Sequence, residues 1–75
     1  FELTARKEQG ESIRKLINDL PEKQRQVVTL RDIEGYSYNE IAEILEIELS
    51  NVKVLLHRAR TQLRVQIKKQ VEYGT

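Results

Sequence analysis

A chain of 75 residues with 39 % apolar content encloses one small core at most, so a single domain of modest stability is expected, with no room for a walled catalytic cleft. Cysteine is absent, which removes disulfides, thiolate nucleophiles and the commonest zinc sites, and no apolar run reaches bilayer length. The net charge is only +1, but it is unevenly placed: through Glu48 seven Lys and Arg stand against eleven Asp and Glu, and from Leu49 onward six stand against one.

The opening F-E-L-T-A-R-K-E-Q-G does not read as a signal peptide and lacks an initiator Met, so a fragment of a longer protein is expected, with residues 1–11 a frayed linker remnant and residues 12–72 the domain. From Ser12, a plausible N-cap, Ile13, Leu16, Ile17 and Leu20 recur at helical spacing, and Pro21 must stop this first helix near Leu20. Pro21 also suits the first turn of a second helix, with Glu22 complementing its dipole, Val27, Val28, Leu30 and Ile33 on its apolar side, and Gly35 as its stop.

Ser37-Tyr38-Asn39-Glu40 has the form of a capping box and predicts a third, short helix that carries Ile41, Ala42, Ile44 and Leu45 inward. A fourth opens near Leu49 or Ser50. The small Ala42 permits a close crossing, and Val52, ten residues on, faces into the angle between the two helices. These are the ingredients of a helix-turn-helix. Its turn needs a left-handed residue, and Glu46 stands there at an expected penalty on the order of 1 kcal/mol. The fourth helix is expected to run past Leu63 through Ile67 and Val71 toward Tyr73.

On that helix Val52, Leu55, Leu56, Ala59, Leu63 and Ile67 form one apolar stripe. The other side gathers Ser50, Lys53, Val54, His57, Arg58, Thr61, Arg64 and Lys68. Such a face suits the major groove of DNA, where cations meet phosphates and guanines and a methyl group meets thymine. An acidic body with a basic last helix also directs polyanions to that helix. A solvated basic helix is the bland alternative.

Lys53 and Arg58 project from the first turns, where a groove is met. Val54 is either an isolated surface valine or a thymine-methyl contact. A single histidine with no cysteine cannot close a metal site, so His57 is read as a groove or surface residue, and no metal or cofactor is expected. Arg60 and Arg64 lie nearer the flank and suit phosphates. Glu40 and Glu43 lack a pocket and a partner nucleophile, and with no phosphate-binding loop or Ser/His/Asp set the chain is not expected to be an enzyme.

The segment L-P-E-K-Q-R-Q-V-V-T-L-R-D-I-E-G-Y-S-Y-N-E-I-A-E-I-L, followed by N-V-K-V-L-L-H-R-A-R-T-Q-L, resembles region 4, the C-terminal promoter-reading domain of bacterial sigma-70 family sigma factors, and within them the extracytoplasmic-function group. The resemblance implies an all-α, compact four-helix domain containing a helix-turn-helix, winged-helix-like but with no wing. It further implies binding of the −35 promoter element, docking on the RNA polymerase core through the β-subunit flap, control by an anti-sigma factor, and a cytoplasmic location.

By position, Lys53, Val54, His57 and Arg58 match recognition-helix residues, Asn51 the helix start, and Arg31 and Tyr38 residues that hold the DNA backbone. The sequence departs from the family pattern at Glu46 and Glu48, where Gly and Ser are frequent, at Ser50, where Gly is frequent, and at Val54-Leu55, where Ser-Arg is common. Those changes bear on the turn, the helix cap and the promoter bases read. Rival readings are a response-regulator effector domain, a helical protein-interaction module without DNA binding, and a membrane-surface helix. The last fits poorly, because the apolar stripe is needed for the core.

Overall fold

A computed structural model describes residues 13–73, with side chains through Lys69; the linker 1–11 and the Ser12 cap lie outside the described residues. Helix α1 is described over residues 13–18 and ends in a turn at Asp19 and Leu20, ahead of Pro21. Leu16, Ile17 and Leu20 are buried, as their spacing predicts, but Ile13 is exposed.

Helix α2, Glu22–Val28, starts one residue after Pro21, whose carbonyl accepts from the Arg25 amide at 2.9 Å. Val27 and Val28 are its buried residues. The chain then widens into a π-helical segment, Thr29–Ile33, marked by the Glu34 amide donating to the Thr29 carbonyl five residues back. Gly35, at φ +83°, ends it in a conformation that glycine adopts freely. Ile33, expected on the apolar side, is 61 % exposed. The wider turn displaces every later side chain around the helix axis and carries Ile33 off the core face.

Helix α3, Tyr38–Leu45, begins with the expected capping box. The Glu40 amide donates to Ser37 Oγ at 3.1 Å, and the Ser37 amide donates to Glu40 Oε1 at 2.8 Å. Ile41 is fully buried and Ala42 and Leu45 are half-buried, whereas Ile44, expected inward, is half exposed. This two-turn helix packs on α4 and the π segment, and Ile44 lines an open hollow with Thr29, Leu30 and Glu34 instead of entering the core.

The turn after α3 depends on Glu46, held left-handed at φ 56°, ψ 48°. Its amide donates to the Glu43 carbonyl and the Ile47 amide to the Ala42 carbonyl. Those two bonds make a Schellman motif and satisfy carbonyls that the end of α3 would otherwise orphan. Helix α4, Leu49–Tyr73, follows at once, with the Glu48 carbonyl accepting its first bonds from Asn51 and Val52.

Val52, Leu56 and Ala59 of α4 complete one core with Ile17, Leu20, Val27, Val28 and Ile41, flanked by half-buried Leu55 and Leu63. Burial on this scale is the main stabilising contribution in so small a domain. The stripe stops there: Ile67, expected on it, is 39 % exposed, because the 25-residue α4 outruns the shorter helices it packs against. The described residues form helices, turns and short connections, with no strand among them.

Candidate nucleic-acid interface

Burying Val52, Leu56 and Ala59 fixes which way α4 faces. A helix that seals one stripe must turn the opposite residues to solvent, and Ser50, Asn51, Lys53, Val54, His57, Arg58, Thr61, Arg64 and Lys68 are all exposed. Lys53, Val54, His57 and Arg58 fall within two turns of one another on that side, and Arg64 continues the row toward the C-terminal end. Val54 is 45 % exposed, a hydrocarbon group among polar ones. Asn51 occupies the first turn of α4.

Arg31 and Tyr38 come from different elements and meet. The Arg31 guanidinium lies 4.8 Å from the centre of the Tyr38 ring, and its Nη1 donates to the Tyr36 carbonyl at 2.9 Å. The stack and the hydrogen bond together hold a long flexible cation in one place. Both side chains stay partly accessible.

Arg60 departs from the expectation of a free flank residue. Its Nε donates to Asp32 Oδ2 at 3.0 Å and its Nη2 to Asp32 Oδ1, a two-pronged ion pair between α4 and the π segment. The Asp32 carboxylate holds the Arg60 guanidinium protonated even more firmly than usual, and the Tyr38 hydroxyl nearby adds to the effect. Sequence reasoning misses this pair because its members are 28 residues apart. A second omission is Gln24 of α2, which with His57, Arg58, Thr61 and Gln62 lines a shallow groove of about 310 Å³. It adds an amide beside the cationic row, and no short motif marks it.

A second groove, about 370 Å³, is lined by Leu30, Ile44 and Leu45 with Arg25, Gln26, Thr29, Glu34 and Asn18, and takes nothing from α4. The molecule therefore has a polar, cationic face on one helix and an apolar hollow built by the others. No helix among the described residues is long and apolar enough to cross a membrane.

The family model described as Sigma-70, region 4 matches residues 10–63. Among curated relatives, the chain is 42 % identical over 55 residues to the ECF RNA polymerase sigma factor SigE of Mycolicibacterium smegmatis, covering 73 % of this chain and 21 % of that protein. It is 40 % identical over 63 residues to the RNA polymerase sigma factor YlaC of Bacillus subtilis, covering 84 % of this chain and 36 % of the relative. It is 41 % identical over 61 residues to the ECF RNA polymerase sigma factor SigW of the same organism, covering 81 % and 33 %. The chain thus spans only a fifth to about a third of the length of these relatives. With the helix-turn-helix and the sequence match both in place, the chain belongs to the Sigma-70 region 4 family, in the company of ECF sigma factors.

Proposed function

We propose that this chain is the part of a sigma factor that binds the −35 element of promoter DNA during transcription initiation, and that it does so without enzymatic activity of its own. The observation that carries this reading is the division of α4: Val52, Leu56 and Ala59 are sealed in the core, and Lys53, Val54, His57 and Arg58 are left together in solvent. An exposed, rigid helix of that composition fits the major groove of B-form DNA, which admits one α-helix. In this reading Lys53 and Arg58 donate to base edges or phosphates, His57 contributes a polar contact and Val54 meets a thymine methyl. Asn51 anchors the start of α4, Arg64 follows the phosphates, and Arg31 and Tyr38 hold the backbone beside the groove.

The partners we propose are promoter DNA and the RNA polymerase core, with the flap of the β subunit seated in the apolar hollow at Leu30, Ile44 and Leu45. That hollow supports the reading because it is separate from α4, so both partners can be held at once. An anti-sigma protein would compete for the same surfaces, and the place of action would be the cytoplasm. A response-regulator effector domain is disfavoured by the family match.

The test is binding of a duplex selected from a random pool, at fixed salt, with Arg58→Ala beside the parent. If Arg58 reads a guanine, the variant loses about 1–3 kcal/mol of specific binding. Equal affinities of variant and parent would remove Arg58 from the interface.

A further inference from the structure

Asp32 and Arg60 form the one ion pair among the described residues, joining the π segment to α4. Each side chain is about two-fifths exposed, 38 % and 43 % respectively, and pairs this open add little to stability. Their geometry is more informative than their strength. The core contacts that hold α4 to the body are apolar, made by Val52, Leu56 and Ala59 with half-buried Leu55 and Leu63 beside them, and such contacts are non-directional, so they resist separation better than rolling. A two-pronged guanidinium–carboxylate contact is directional and fixes an angle.

The place where that angle is set matters as well. At 3.6 residues per turn Arg60 shares an edge of α4 with Lys53, seven residues before, and Arg64, four after. Asp32 is the immediate neighbour of Arg31, whose guanidinium is itself pinned between the Tyr38 ring and the Tyr36 carbonyl. One five-residue π segment therefore carries both the Arg31 anchor and the carboxylate that grips α4.

Building on the DNA-binding reading, we infer that Asp32 is a positioning residue: through Arg60 it sets the roll of α4 relative to the Arg31–Tyr38 anchor, and Arg60 is not itself a phosphate contact. An unpaired carboxylate beside the cationic face would repel phosphate. Gripped by Arg60, that charge is neutralised and put to use.

The test compares the parent chain with Asp32→Asn, Arg60→Ala, the double variant, and the exchanged pair Asp32→Arg with Arg60→Asp. Each is titrated with a duplex selected by the parent and with a scrambled duplex over a series of salt concentrations, with helix content followed by circular dichroism. Asp32→Asn keeps the shape of the side chain, so it probes the grip even if Arg60→Ala folds poorly. The expected result is a fall of about fivefold in the ratio of selected to scrambled affinity for either single variant, with the double variant no worse than the singles, as residues acting as one unit require. The exchanged pair recovers part of the ratio, and Arg60→Ala leaves the salt dependence unchanged.

The inference is overturned if Arg60→Ala weakens both duplexes alike and lowers the slope of log affinity against log salt by about one, while Asp32→Asn tightens both. In that case Arg60 holds a phosphate and Asp32 merely competes for it. Ratios unchanged in every variant overturn it as well. A parent chain that binds no duplex at any salt concentration removes the DNA-binding reading itself, and this inference with it.

Discussion

Glu46 is held where an L-residue with a full side chain is uncomfortable. At φ 56°, ψ 48° its Cβ is crowded by its own backbone, and the conformation is maintained because two hydrogen bonds and the start of α4 require it. Its side chain is exposed, so little is lost by removing it. Glu46→Gly is therefore expected to stabilise the domain by on the order of 1 kcal/mol, read as a higher urea midpoint with an unchanged slope. A lower midpoint would mean that the carboxylate makes a contact worth more than the backbone strain. Asp32 shows the opposite case, a residue whose conformation is ordinary and whose partner is what matters.

At the scale of elements, α3 depends on its first turn, because a helix of eight residues has few internal hydrogen bonds to offset the ordering of its ends. The Ser37 amide, and after it the Ser37 hydroxyl, hold the Glu40 carboxyl below the usual carboxylate range. A group whose folded value is depressed adds stability above its unfolded value, and that contribution is lost as pH falls through the folded value. Thermal unfolding of the parent and of Glu40→Gln should therefore differ at neutral pH, with the parent higher, and the difference should close as pH is taken below the ordinary carboxylate range. A gap that stays constant with pH would mean that the charge on Glu40 is not what the cap uses.

This capping box could be read from four adjacent letters and the buried faces of α2 and α4 from spacing along one helix, while the left-handed residue at Glu46 follows from the helix-turn-helix pattern of Ala42 and Val52. What could not be read depends on where neighbouring elements end. Ile13, Ile44 and Ile67 follow the apolar period yet are exposed, because periodicity reports which way a side chain points but not whether anything lies opposite it, whereas Ile33 is exposed because the π segment changes its direction. The π segment turns on one shifted hydrogen-bond register, which no composition signals. The outward residues of α4 were legible for the same reason as its core. The Arg31–Tyr38 stack and the Asp32–Arg60 pair were not, since both are products of assembly.

Across the whole molecule, charge and hydrocarbon are sorted onto different surfaces. Six cations and one acid follow Leu49, and the residues before it are net acidic, a distribution that favours a polyanion at α4. The hollow at Leu30, Ile44 and Leu45 lies on the elements that α4 leaves free. If the two surfaces serve two partners, they must respond to different perturbations. Duplex binding, which releases counterions from the phosphates, should weaken linearly in log salt, and Lys53→Gln should make that slope shallower by about one for a lost phosphate contact. Ile44→Glu, which puts a carboxylate into the apolar hollow, should leave both the duplex affinity and its slope unchanged while abolishing capture of the isolated β-subunit flap. Capture by the parent should in turn vary little with salt, because burial of apolar surface is insensitive to screening. Loss of duplex binding in Ile44→Glu, with helix content intact, would show that the two faces are coupled and that one partner's seat cannot be assigned without the other.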